Sequence, residues 1–227
     1  ASGSSCRRSR AAARDEPGDS NVAMAHPRYP LRGRHQCREA GQSLVEFALI
    51  FPTFIVLTLF IIEFAFVFSA ILGVNYASRN GALVAAEAGD DKLADCVILQ
   101  QVEDSIGAPG NKANVQTVTI YRTDQSGSVR YATLTYTRGG TTTCTKGTGP
   151  TATSLTVPYS APTGSYTYDQ RCNFLNGCPA LGRSQIDTIG IEITYDHSWV
   201  TPIRNFGLAG TGATLTQSNA MRMEPIL

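Results

Sequence analysis

The sequence predicts an α+β protein in which one long N-terminal helix spans a membrane and leads into a domain beyond it. Three observations support this class: an apolar run over residues 47–74, a helix-compatible continuation to about residue 88, and alternating apolar residues in four later segments. A helix packed on four antiparallel strands lets each element bury its apolar face. We therefore expect a four-stranded antiparallel sheet against the long helix.

The apolar run is long enough to cross a bilayer. Residues 47–74 contain one charged side chain, Glu63. A helix of this length rises about 40 Å, against a hydrocarbon core of roughly 30 Å. The run exceeds the apolar core of a cleaved secretory signal. Pro52 inside it either kinks the helix or is simply tolerated. We predict one helix over residues 42–89, with a transmembrane part at about 47–74 and Gly89 as its C-cap.

The charges that flank the run predict its orientation. Residues 1–40 hold eight Arg and no Lys against four acidic residues, whereas few basic residues follow the run. Lys and Arg favour the cytoplasmic side, so the N-terminus is expected inside and residues 90–227 outside. The Ser-, Arg-, Ala- and Gly-rich composition of residues 1–41 predicts a basic disordered leader. The exterior part shows no clustered Lys or Arg, and so no nucleic-acid partner is expected.

Glu63 lies in the middle of the apolar run. A carboxylate at the centre of a membrane helix costs about 2.5–3.5 kcal/mol on insertion scales. Two interpretations are open: an assembly contact with another helix, or a protonated acid that points into a bundle interior. Because intramembrane acids generally mark function, the assembly contact is preferred.

A second carboxylate, Glu46, lies at the edge of the run, five residues after Gly41. Gly41 offers no side chain to a peptidase cleft and permits an extended backbone. With Gln42 and Phe47, this stretch resembles the cleavage motif of bacterial type IV prepilins. The longer pattern resembles the TadE-like family of Tad/Flp pilus-assembly proteins. Further matching residues are Leu49, Pro52, Ile62, Glu63, Phe64, the segment 77–82, and the ending Arg222, Met223, Glu224 and Pro225.

The resemblance implies a minor pilin-like subunit of a type IVb pilus with a pilin-like exterior domain. A prepilin peptidase would cut after Gly41, so that the mature chain begins at Gln42. Glu46 would then pair with the new ammonium group of its own or a neighbouring subunit, which lowers the cost of both charges at the membrane edge. The alternative is that Glu46 only snorkels at the interface. Met24 is a candidate translation start, which would give an 18-residue leader ending at Gly41.

The same resemblance implies the partners and the location. The partners are the prepilin peptidase, other pilin-like subunits, the pilus-assembly machinery and the lipid bilayer. The location is the bacterial cytoplasmic membrane as a single-pass protein, with incorporation into the pilus as a further option. Glu46 and Glu63 are the residues expected to act in assembly.

The exterior part has a recognisable pattern at both ends and an unusual middle. Residues 91–106 have the apolar spacing of an amphipathic helix. Four segments alternate as strands do, with a turn between the first two: residues 115–122, 129–138, 187–195 and 213–224. The Thr- and Gly-rich residues 139–185 are either an excursion ordered by cystines or a mobile loop. Three roles are open for its Tyr159, Tyr166 and Tyr168: an adhesive surface, a packing surface, or neither, as for most exposed tyrosines in such loops.

Four cysteines lie in the exterior part, where the compartment is oxidising: Cys96, Cys144, Cys172 and Cys178. An even count in such a compartment suggests two disulfides, for which three pairings exist. The preferred pairing is Cys172–Cys178, which closes a short loop, with Cys96–Cys144. A zinc site is the weaker alternative, because no C-x-x-C motif is present and imidazoles are scarce.

No motif for catalysis or for a cofactor is found in the sequence, and no enzyme activity is expected. His197 and Ser198 are adjacent on a strand and should point to opposite faces, which is poor geometry for a base and a nucleophile. His197 is instead expected at the sheet-end surface near Trp199. The alternative function is an unprocessed single-pass anchor that displays an extracellular binding or adhesion domain.

Overall fold

The first element of the chain is one long helix, α1 (Gln36–Ala88), which continues through Pro52 without a break. The computed structural model describes residues 36–107, 110–201 and 212–225, with side chains from Ser43 onward. The helix ends where the sequence predicts, because Gly89 adopts a left-handed φ of 57°. A Cβ atom at Gly89 would lie 2.4 Å from the side-chain nitrogen of Asn173, so the position also needs glycine for space.

The chain divides into two units, Ala1–Ala48 and Leu49–Leu227. The described part of the first unit is the helical stretch 36–48. The second unit holds the rest of α1, a second helix α2 (Ala94–Ser105) and the whole sheet. The amphipathic helix predicted for residues 91–106 is therefore present.

The sheet has six strands rather than the four that the alternation predicted. It consists of β1 (Val115–Thr123), β2 (Arg130–Lys146), β3 (Thr153–Tyr159), β4 (Thr163–Gly164), β5 (Thr188–Ser198) and β6 (Gly212–Arg222). Its order is β3-β2-β1-β5-β6, with β4 paired to β2 and every pair antiparallel. The four predicted strands correspond to β1, β2, β5 and β6. The two additional strands come from the Thr- and Gly-rich segment.

One face of the sheet forms the core. Ile120 of β1 lies opposite Ile191 of β5 and Leu134 of β2, and all three side chains are buried. Because side chains alternate along a strand, residues 189, 191, 193 and 195 of β5 all point to this face. The helices cover it and complete a two-layer α+β arrangement.

Small residues allow α1 to pack closely on this layer. Ala77, Ala82 and Ala85 are fully buried. A Cβ atom at Gly81 would lie 2.9 Å from Cγ2 of Val102 and 3.4 Å from Cγ2 of Ile191. Because interiors are packed without spare volume, a larger side chain here would push α1 away from α2 and β5.

Candidate membrane and assembly segment

The predicted processing site lies within α1. The backbone is helical on both sides of the Gly41–Gln42 bond, since the helix already begins at Gln36. The side chain of Gln42 lies outside the described part. Glu46 and Phe47 follow on the same helix, where both are exposed and each interacts with other groups in the chain.

Buried side chains first appear in α1 at Glu63 and recur from Ala70 onward. From Ser43 to Ile62 no residue is buried, although most of these side chains are large and apolar. Glu63 is the first buried residue of the described helix, and buried positions then recur to Ala86. The helix is long and apolar enough to cross a membrane over Ser43–Ala88. Residues 43–62 therefore include no buried position, whereas residues 63–88 bury one side against the domain.

Glu63 is held by the segment that follows β5. The backbone N–H of Val200 donates to Glu63 Oε1 at 3.0 Å, and that of Thr201 donates to Oε2 at 2.8 Å. The Nε2 atom of His197 lies 3.4 Å from Oε1. The carboxylate thus has intrachain partners, which lie more than 130 residues away along the chain and could not be predicted from local pattern. Its predicted role in assembly with another subunit stays a prediction.

His197 is not a surface residue, contrary to the expectation from sequence. It is buried at the end of β5, between the Glu63 carboxylate and the ring of Trp199. The two rings meet edge to face with centroids 5.9 Å apart, so the expected packing near Trp199 is present. The alternation along β5 turns His197 to the helix-covered face, which explains its burial.

A row of apolar side chains on α1 is left uncovered beyond Glu63. Phe64, Phe68, Leu72 and Tyr76 recur every four residues and are all exposed. The Phe64 and Phe68 rings stack with centroids 6.5 Å apart. Residues spaced by four lie on one side of a helix, so these four form an outward ridge. We call Phe64, Phe68, Leu72 and Tyr76 the outer ridge.

Comparison with protein families gives one match on this segment. Residues 41–83 match the family described as TadE-like protein. The match confirms the resemblance to that family. It covers all of the predicted processing residues, and it also covers Glu63 and Gly81. No curated protein and no solved structure matches the chain.

The matched segment, residues 41–83, is also hydrogen-bonded to β6 through Asn75 and Ser78. Asn75 Nδ2 donates to Gln217 Oε1 at 3.3 Å, and Asn219 Nδ2 donates to Ser78 Oγ at 2.6 Å. Just beyond the segment, the backbone N–H of Glu224 donates to the carbonyl of Ala86 at 3.0 Å. The ending that resembled the family thus lies against α1, and Met223 within it is buried.

Both preferred disulfides are present, and both lie outside the matched residues 41–83. Cys96–Cys144 joins α2 to β2, and Cys172–Cys178 closes a short loop, with Cα–Cα distances of 6.0 and 5.7 Å. Among the residues that the structure describes, no group of three or more potential metal ligands is found.

The Thr- and Gly-rich segment is ordered around buried ion pairs. Arg171 is fully buried and pairs with Asp95 of α2, which also accepts a hydrogen bond from Tyr136 at 2.9 Å. Arg171 Nη1 further donates to the carbonyl of Gly89 at 3.4 Å. Arg171 therefore fastens the segment to the end of α1 and to the start of α2.

Two further carboxylates bind tyrosines of the same segment. Tyr159 donates to Glu103 at 2.6 Å, beside the ion pair that Glu103 makes with Arg138. Tyr166 donates to Asp187 at 3.0 Å. Both rings are fully buried, so these tyrosines form a packing surface and the adhesive alternative is wrong for them. Sequence could not reveal this, because the carboxylate partners are distant along the chain.

Three of the buried tyrosines make the stability of the folded state fall at alkaline pH. Burial raises the pKa of Tyr136, Tyr159 and Tyr166 well above the usual value, and the neighbouring carboxylates add to the rise. The folded state therefore keeps them neutral, whereas the unfolded chain ionises them near pH 10. Their stabilisation is complete below about pH 10 and is lost as the pH rises from there towards the folded pKa.

We expect the free energy of unfolding to fall above about pH 10 by up to about 1.4 kcal/mol per pH unit for each tyrosine. Urea unfolding of the detergent-solubilised chain at several alkaline pH values measures this slope. The variant Tyr136→Phe should have a shallower slope, since it removes one ionising group. An identical slope in that variant would contradict the assignment.

Proposed function

We propose that the protein is a minor pilin-like subunit that takes part in assembling a Tad-type pilus. It is inserted once in the bacterial cytoplasmic membrane with the N-terminus inside, and its domain lies outside. A prepilin peptidase trims it after Gly41, and it then packs with other pilin-like subunits through their helices. Its work is association rather than catalysis.

The observation that carries this proposal is the TadE-like match at residues 41–83, on a helix that is apolar enough to cross a membrane. The predicted cut site is at the start of the matched segment. Cleavage there would create an ammonium group on Gln42 one helical turn from the Glu46 carboxylate, and pairing would offset the cost of both charges.

The outer ridge supports association through the part of α1 that carries the domain. Its four large apolar side chains are exposed on the side of α1 that the domain leaves uncovered. Exposed contiguous apolar surface of this kind usually marks an interaction site. A helix of another pilin-like subunit has the shape to cover it, by packing side chains between those of the ridge.

Processing is tested by the N-terminus of the membrane-extracted protein. In a host with a Tad-type prepilin peptidase, we expect the chain to begin at Gln42, and to keep its leader when the peptidase gene is deleted. The variant Gly41→Ala should also keep the leader, since the added methyl group hinders the cleft. N-terminal sequencing and intact mass measure these products.

Gly73→Ala is the matched control for Gly41→Ala. Gly73 lies on the same helix, and a Cβ atom there meets nothing within 4 Å. This variant should be trimmed like the wild type. An intact leader on the wild-type chain in the peptidase-positive host would refute processing and favour the alternative, an unprocessed single-pass anchor that displays its domain.

A further inference from the structure

We infer that the outer boundary of the membrane lies at Glu63, where the Trp199–Thr201 segment rests on the outer leaflet as a second lipid contact. The inference builds on the proposed insertion of α1 in a membrane. It moves the outer end of the span from residue 74, as the sequence predicts, to Ile62.

The length of the uncovered part of α1 fits this boundary. Residues 43–62 form twenty positions without a buried side chain. A helix of twenty residues rises about 30 Å, which matches the hydrocarbon core of a bilayer. The hydroxyl of Thr58 in this stretch donates to the carbonyl of Phe54 at 2.8 Å, so it is satisfied within the helix. Lipid can therefore contact the exposed apolar side chains of this part.

The polar groups beside Glu63 exclude a deeper position. Asp196 lies on β5 shortly before the Trp199–Thr201 segment, and it is exposed apart from a hydrogen bond from Thr214. Ser198 is exposed as well. A bilayer that reached residue 74 would submerge this end of the sheet together with the Asp196 carboxylate, at a cost of several kcal/mol.

The contacts of Glu63 explain how the Trp199–Thr201 segment can lie at a boundary. Irregular backbone near hydrocarbon needs partners for its N–H groups. Val200 and Thr201 donate theirs to the two carboxylate oxygens of Glu63. The carboxylate in turn gains two charge-assisted hydrogen bonds. Glu63 therefore fixes the segment to the point on α1 where protein cover begins.

The side chains of the segment suit the interface between lipid and water. Val200 is 65% exposed. The ring of Trp199 beside it is partly exposed, although its Nε1 atom is buried. Tryptophan is enriched at the headgroup level of membranes, where an apolar ring meets polar surroundings. The occupant of this surface is the outer leaflet, because the segment is joined to the same helix at the point where the membrane-spanning part ends.

Trp199 is the one tryptophan of the chain, so its fluorescence reports on this segment alone. The full chain is reconstituted in phosphatidylcholine–phosphatidylglycerol vesicles whose lipids carry bromine either high on the acyl chain or near its terminal methyl group. We expect bromine high on the acyl chain to quench the fluorescence of Trp199 more strongly than bromine near the terminal methyl group. Flotation of the same vesicles on a density gradient reports insertion separately.

Two matched variants test which surface touches lipid. Val200→Asn removes the apolar side chain without placing a charge beside Glu63, and it should weaken the quenching. Val129→Asn is the control, because Val129 is 49% exposed but lies in the β1–β2 turn, at the opposite end of the sheet from His197. It should leave the quenching unchanged.

The possible outcomes test the lipid contact, the boundary at Glu63 and the insertion separately. Protein that floats with the vesicles but shows no quenching by either lipid overturns the lipid contact and leaves insertion intact. Strongest quenching by bromine near the terminal methyl group overturns the boundary at Glu63, since the Trp199–Thr201 segment would then lie deep in the bilayer. Equal loss of quenching in both variants overturns the assignment to Val200. Failure to float overturns the proposed insertion itself.

Discussion

Replacing Arg171 with alanine should destabilise the domain by about 3–5 kcal/mol. The guanidinium is fully buried against Asp95, and its removal leaves that carboxylate buried without its counter-charge. The hydrogen bond to the carbonyl of Gly89 is lost as well. Urea unfolding of the detergent-solubilised chain measures the change. Hydrogen exchange should show faster opening of the Thr- and Gly-rich segment, which this pair fastens.

The control is Arg130→Ala. Arg130 also pairs with a carboxylate, Glu192, at 2.5 Å, but its side chain is 38% exposed. Pairs exposed to solvent contribute about 0–1 kcal/mol, because water screens them and already solvates both charges. Losses of equal size in the two variants would show that burial does not determine the strength of these pairs here.

Removal of the Cys96–Cys144 disulfide should cost roughly 4 kcal/mol, against roughly 2 kcal/mol for Cys172–Cys178. The difference follows from sequence separations of 48 and 6 residues, because closing a longer loop removes more entropy from the unfolded chain. The double variants Cys96→Ala/Cys144→Ala and Cys172→Ala/Cys178→Ala serve as controls for each other. Their free energies of unfolding, measured under non-reducing conditions, give the comparison.

A larger loss on removing Cys172–Cys178 would contradict the entropic argument. It would mean that the short loop contributes mainly through the folded state, where Asp187 accepts a hydrogen bond from the backbone N–H of Cys172 at 3.0 Å. Mass spectrometry of the unreduced protein verifies in each variant that the remaining cystine has formed.

Local patterns were enough to predict much of the fold. Alternation identified β1, β2, β5 and β6, and helical spacing identified α2, because in each element apolar residues recur with the period of that structure. Gly89 ended α1 as expected, since a left-handed residue after a helix favours glycine. The resemblance on residues 41–83 rested on residues close together in sequence, and it was confirmed for the same reason.

The structural features that local patterns did not predict depend on residues that are distant along the chain. β3 and β4 are built from Thr-, Pro- and Gly-rich residues whose strand character comes from pairing with β2. Glu63 looked like a membrane carboxylate because its neighbours are apolar on all sides. Residues 64–74 pack one side on the domain and expose the outer ridge on the other. A hydropathy pattern alone cannot distinguish such a stretch from one that is in contact with lipid.

The attachment of α1 to the strands has a mechanical consequence. The β5–β6 edge of the sheet and the residues that follow these two strands contact the helix at three points along its axis. These points are Glu63, the pair Asn75 and Ser78, and Ala86. A pull along the helix axis would load these hydrogen bonds together in shear, rather than peel them apart one after another. The domain would then move with its helix as one piece under tension, as the proposed role in pilus assembly would require.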